Sequence, residues 1–395
     1  METLKILFSG DWCIRGAGCN ILDNDAILSE IASKIKAKTS EYDASIVNVE
    51  TVFSDTLSPT KKSGPNIATP TKGLDFLKSM GFTIGAMANN HVCDHGDQAG
   101  LKSKDMIDNT GMLTLGYGKN IDEARKSIRM EIKGTTISFL NFAENEFVAA
   151  TESTPGFAPI DYFDNARQVR EEKEKSDFVF VMLHAGNEFC PFPRNGVKKL
   201  CHTLVESGAD GVIVAHPHCP QGMEYYKNKP IAYSTGNFFM SKEKAGFSTW
   251  NVGYMAEVII NTDKSVTLNP IPYEFDNYLR YFDFMSGERK DIFLKYLDTL
   301  SAIITDTSDA EYQNLLYAWS IMYIEDMKGF IDEHRKDLTF DGEFMLYIKN
   351  AFSCESHNEL MTNYFKIHTT GRLKEFDEYI KKIKNWQVVP LEERK

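Results

Sequence analysis

Asp11, Glu50, Asn90, His184, His216 and His218 each follow a short apolar run. A rigid sheet aims side chains at its strand ends into one cleft, and metal ligands are wanted there. Together these residues offer two carboxylates, an amide and three imidazoles. Such a mixture of hard oxygen and borderline nitrogen suits a pair of divalent cations, with Mn, Fe or Zn as the candidates. A pair of this kind activates water and clamps an oxyanion.

The turn Ala88-Asn-Asn-His-Val-Cys-Asp-His-Gly96 carries more polar groups than a helix start needs. His91 follows the candidate ligand Asn90 and is placed to donate a proton to a leaving group. Asp94, three residues on, is placed to hold the imidazole in one tautomer. The plainer reading of the turn is a polar cap for the next helix. Cys13 lies two residues after Asp11 and shares its strand face, so it is a possible thiolate ligand; a buried inert thiol is the commoner outcome. Glu50 is a candidate bridge, since two cations roughly 3.5–4 Å apart need shared negative charge. His216-Pro217-His218 puts two imidazoles on one stiffened turn. Glu188 and Asn237, each just past an apolar segment, are candidate substrate contacts. His202, His334, His357 and His368, with the cysteines other than Cys13, read as surface or packing residues.

The elements that position these residues alternate in type over the first 270 or so positions. Strands are expected over Lys5–Ser9, Ser45–Val49, Phe82–Met87, Phe178–Leu183, Gly211–Ala215 and Ile231–Ser234. Helices are expected over Asp25–Lys38, Thr71–Met80, Gly96–Asn109, Tyr162–Lys175 and Arg194–Ser207. A hairpin is expected around Lys133-Gly134 and further strands over Val252–Ile260 and Val266–Ile271. The alternation implies a layered α/β domain, and the antiparallel pairs argue against a purely parallel sheet. From about Tyr273 strand alternation is expected to stop and helical spacing to dominate, with helices over Glu311–Glu333 and Leu373–Ile383. The division expected is a domain over 1–272 and a helical extension over 273–395.

Bulk properties narrow the function. The 395 residues carry a net charge of −12, with 42% hydrophobic and 25% charged residues. That is a soluble globular composition without the basic face of a nucleic-acid binder. No apolar run approaches the roughly 20 residues of a membrane helix, and no signal peptide is visible. Seven scattered cysteines without a CxxC pair fit reduced thiols, so a cytoplasmic location is expected.

With these residues in view, the chain resembles the CapA family of capsule and poly-gamma-glutamate biosynthesis proteins, which is similar to the calcineurin-like metallophosphoesterases. The resemblance rests on GDWC at Gly10–Cys13, NVE at Asn48–Glu50, ANNHVCDHG at Ala88–Gly96 and GYG at Gly116–Gly118. It continues through HAGNEF at His184–Phe189, AHPHCPQ at Ala215–Gln221 and YSTGNFF at Tyr233–Phe239. It implies a two-sheet β-sandwich flanked by helices. It also implies one metal held by Asp11, Glu50 and His218, a second by Glu50, Asn90, His184 and His216, and His91 as the acid backed by Asp94. The implied activity is phosphoester hydrolysis. The alternatives are hydrolysis of a gamma-glutamyl amide, or binding of an anionic polymer or biosynthetic partner without catalysis. Two departures stand out: Cys13 replaces a usual His, and Glu50 a usual bridging Asp. The last 120 or so residues lie outside the resemblance.

Overall fold

Alternating apolar residues in the first strand face two layers, and the fold follows from burying both. The computed structural model describes residues 2–242, 246–334 and 342–393. Leu4–Cys13 pairs in parallel with Ala44–Val49, which continues in parallel to Ile84–Ala86 and Leu113–Leu115. On its other side it pairs antiparallel with Val252–Ile260, followed by Val266–Phe275 and Phe282–Phe284. A second sheet has the order Met223–Tyr226, Lys229–Ala232, Gly211–Ala215, Phe178–His184, Thr135–Ala143, Ile128–Ile132. Its central strands are parallel and its edge pairs antiparallel.

The sheets face each other across one apolar core. Phe8 of the first sheet lies 6.3 Å from Phe139 and 6.1 Å from Phe180 of the second. Asp25–Thr39, Lys72–Ser79 and Asp97–Asp108 cover the first sheet's outer face, while Tyr162–Lys173 and Asn195–Glu206 cover the second's. The expected two-sheet α/β sandwich with flanking helices is therefore present. Within each sheet the parallel strands end level. Asp11 pairs with Asn48, and His184 lies between Ala143 and Ala215, so both sheets open at the same rim.

Several local expectations change. The first strand runs to Cys13, four residues past Ser9, with register shifts around Asp11. Gly10 is needed for close approach. A Cβ there would stand 1.8 Å from the Gly236 carbonyl oxygen. The reason is the segment Asn237–Met240, which pairs in parallel with the end of the first strand. Strand character also persists beyond Tyr273, because Phe282–Phe284 closes a hairpin on Val266–Phe275. Aromatic density there reflects a sheet edge packed on Phe238 and Tyr273.

Helices Gly287–Thr305, Asp309–His334, Glu343–Ser353, Glu355–His368 and Asp377–Trp386 follow. They pack on the second sheet and on the loop before Asn195–Glu206. Tyr312 donates to the Pro193 carbonyl at 2.6 Å and stacks edge-on against Phe192. Among the described residues no helix is long and apolar enough to cross a membrane.

Candidate metal centre

Six strand-end side chains converge at the shared rim. Asp11 and Glu50 are fully buried, and Asn90, His184, His216 and His218 nearly so. His184 Nε2 lies 2.9 Å from Asn90 Oδ1, 3.1 Å from His216 Nδ1 and 3.6 Å from Glu50 Oε1. His218 Nε2 lies 3.8 Å from Glu50 Oε1, and its Nδ1 3.5 Å from Asp11 Oδ2. Ligand atoms lie within 4.8 Å of one another in Asp11 with Glu50 and His184, and in Glu50 with His216 and His218, a division of the imidazoles that differs from the one the resemblance implies. Glu50 belongs to both, which is the position expected of a shared ligand. His216 and His218 hold positive φ, at 100° and 54°, so the turn around Pro217 is strained to aim both rings inward.

The electrostatics leave a deficit at the centre. Both Glu50 carboxylate oxygens are buried without a hydrogen-bond partner among the described residues. Burial, and then the neighbouring Asp11, push its carboxyl well above the usual range. Burial, then His216 and His218, hold His184 well below the ordinary imidazole value. Burial likewise lowers His216. Burial would lower His218 as well, but Glu50 and Asp11 outweigh it and raise that imidazole to about 10, so a divalent cation binding these imidazoles and carboxylates would displace its proton. The residues present therefore fit a cation pair in donor type and number.

Positioning groups surround this set. Asn48 donates to Asp11 Oδ1 at 2.6 Å and reaches His184 Nδ1 at 3.0 Å. Asn237 is fully buried, with its Oδ1 2.8 Å from His218 Nδ1 and its amide nitrogen donating to backbone carbonyls. It faces that imidazole rather than the cavity, where a substrate contact would lie. Cys13 is buried with its sulfur 4.0 Å from Thr69 Oγ1, and burial pushes its thiol up to about 12. Glu188 is exposed at the cavity mouth.

His91 sits beside the centre. Its Nδ1 is 2.6 Å from Asp94 Oδ2, and its Nε2 points toward Glu50 at 3.9 Å. Lys62 forms a buried ion pair with Asp94 and lies 3.4 Å from His91 Nδ1. Burial and then Lys62 lower the His91 value, while Asp94 opposes them. Burial would raise Asp94, but His91 and Lys62 outweigh it and hold the carboxyl low.

The centre opens into a cavity of about 440 Å³. Its far wall includes Tyr323, Tyr347, Asn350, His357 and Leu360 from the C-terminal helices. Glu146 links the two sides: its Oε2 accepts from Asn90 at 2.8 Å and its Oε1 from Asn350 at 3.0 Å. Sequence reasoning missed Lys62, Glu146 and His357. Glu146 follows the strand Thr135–Ala143, so the strand-end signal that marked the other carboxylates applied to it as well. Lys62 sits in the loop Lys61-Lys-Ser-Gly-Pro65 and looks like a solvated cation until that loop folds over Asp94. His357, read as surface or packing, is a polar wall residue of the cavity. The His334 side chain lies outside the described residues.

The family model of the bacterial capsule synthesis protein PGA_cap matches residues 5–242. The PGA biosynthesis protein CapA of Bacillus subtilis is 31% identical over 176 residues, covering 44% of this chain and 46% of that protein. The capsule biosynthesis protein CapA of Bacillus anthracis is 29% identical over 169 residues, covering 41% of each. The chain thus spans less than half the length of these relatives. Among solved structures it is similar to a 5'-nucleotidase precursor from Thermus thermophilus. That match has 10% identity and a TM-score of 0.43, over 77% of this chain and 60% of that one.

Proposed function

Because the chain belongs to the family of bacterial capsule synthesis proteins, PGA_cap, we propose that its cleft is a binuclear, metal-dependent hydrolase site of the phosphoesterase kind. Asp11, Glu50 and His218 would hold one cation, and Glu50, Asn90, His184 and His216 the other. The observation that carries this reading is Glu50: two buried carboxylate oxygens without a hydrogen-bond partner among the described residues, in reach of the imidazoles of His91, His184 and His218. Divalent cations bound there would polarise a phosphoryl or acyl oxygen and activate water.

The chain's own residues supply the rest. Asn48 and Asn237 orient Asp11, His184 and His218 through hydrogen bonds that cost no rearrangement at the moment of reaction. Asp94 fixes His91 through Nδ1, leaving Nε2 as the atom that hands a proton to the leaving oxygen. Burial and Lys62 make that imidazolium readier to release its proton. The C-terminal helices close the far wall and limit the volume a substrate can fill.

The names of the Bacillus relatives favour a second reading, in which the same centre serves a gamma-glutamyl amide or holds a capsule polymer without cleaving it. Manganese-dependent hydrolysis of an aryl phosphomonoester and diester separates the two. The first reading expects turnover that falls about 10²–10⁴-fold in His91→Ala while the metals stay bound. Metal-loaded protein inert toward both esters would sink it and leave the amide or binding reading.

A further inference from the structure

Among the described residues, a further group of ligating side chains outside the proposed centre lies where the C-terminal helices meet the sandwich. Cys354 and His357 have CxxH spacing at the start of the helix Glu355–His368. One helical turn separates them, so both side chains reach the same side. Opposite them stands Glu146, after the strand Thr135–Ala143. One ligand atom from each lies within 4.8 Å of the others. His357 Nε2 is 3.4 Å from Glu146 Oε1.

We propose that Glu146, Cys354 and His357 form a further metal site, distinct from the centre at Glu50, which takes a borderline cation such as zinc. Thiolate, imidazole and carboxylate are the donor set zinc prefers. Burial, then Glu144 and Glu146, hold the Cys354 thiol well above its usual value, and its sulfur lies 3.9 Å from Glu144 Oε2, so binding would displace that proton. His357 Nδ1 is 2.6 Å from the Tyr323 hydroxyl, which fixes the ring and leaves Nε2 for the ion. The second Glu146 oxygen is held by Asn90. Asn350 is buried with its amide nitrogen on Glu146 Oε1, while its own Oδ1 has no hydrogen-bond partner among the described residues. Turning that amide over presents the oxygen to the same space as a fourth donor. The neighbouring carboxylate Glu144 is paired with Arg194 at 3.0 Å and Glu146 with His357 at 3.4 Å, so an ion entering here would displace the proton that Glu146 holds on His357 against burial. Glu146, Asn350 and His357 all line the cavity, which gives the ion a way in.

An ion there would tie the helices to the sandwich through a carboxylate that also holds Asn90. The site draws two ligands from residues beyond the 5–242 family match, so it would be a property of this chain's own extension. It does not depend on the hydrolase reading.

Cobalt(II) is the probe, since a bound thiolate gives charge-transfer absorption that nitrogen and oxygen ligands do not. Reduced full-length protein loaded with cobalt should show this absorption, and zinc should displace it. Cys354→Ser should abolish it and release about one metal equivalent per chain, as expected of a site that loses a ligand. Cys13→Ser should leave it in place. His357→Gln should weaken cobalt binding read at this absorption by at least about tenfold with unchanged circular dichroism, which keeps the test open if Cys354→Ser fails to fold. No thiolate absorption at saturating cobalt would overturn the site. So would loss of the whole signal in Cys13→Ser, or full cobalt affinity in folded His357→Gln.

Discussion

Glu50 places two carboxylate oxygens in the interior, 3.6 Å from His184 and 3.8 Å from His218, with no hydrogen bond to either oxygen among the described residues. Burying a carboxylate beside Asp11 without a cation opposes folding. The expected consequence is a trade between stability and binding. In chelated protein Glu50→Gln should raise stability by about 1–3 kcal/mol, because it removes a carboxyl that burial and Asp11 force either to stay charged or to take up a proton, while keeping the shape. With manganese present the order should reverse, since the wild type gains binding energy that the variant cannot. Thermal melts with chelator and with manganese check both signs. An unchanged melting temperature in chelator would mean that Glu50 is compensated by something other than a cation.

At the scale of elements, the strand Met223–Tyr226 is held to the helix Asn195–Glu206 by Glu224, whose Oε1 is 2.6 Å from His202 Nε2 and 2.5 Å from the Tyr233 hydroxyl. Burial would raise the Glu224 carboxyl, but His202 and Tyr233 outweigh it and hold it below the ordinary value. A depressed carboxylate stabilises the fold above its unfolded value and loses that contribution as pH falls through the folded one. Glu224→Gln should therefore cost about 1–2 kcal/mol at neutral pH and almost nothing in strongly acidic solution. Urea unfolding at several pH values reads the difference, and a penalty independent of pH would refute the pairing.

The same scale shows what was legible in advance. Strands with continuous apolar runs, such as Phe178–His184 and Gly211–Ala215, are marked along with their ends because both faces are buried. Asp11, Glu50, Asn90 and the three imidazoles could be singled out because each follows such a run. Asn237–Met240 could not be read as a strand. Its pairing partner lies more than two hundred residues away, and nothing local marks a parallel contact. Lys62 was hidden for a related reason: its partner Asp94 comes from another segment, whereas Glu146 carried the strand-end signal and was passed over.

For the whole molecule, the compositional change near residue 272 is not a gap in the packing. One apolar core contains Phe8 and Phe180 of the two sheets together with Leu297, Leu300, Tyr312 and Leu316 of the helices. Arg194 spans the same junction, pairing with Glu144 on one side and with Glu359 at 2.8 Å on the other. We propose that the extension over 273–395 depends on the sandwich and supports it in turn. A chain ending at Ser286 would expose this shared face, and should be recovered largely as aggregate or melt well below the full chain. A truncated protein as soluble and stable as the full chain would show two independent units instead.

Anomalous diffraction at the manganese edge, from crystals grown with manganese and no chelator, would show whether one cleft holds two cations bridged by Glu50. Two neighbouring peaks are expected, one against Asp11, Glu50 and His218 and the other against Glu50, Asn90, His184 and His216. A single peak not touching Glu50, or no peak at this rim at saturating manganese, would rule the bridged pair out.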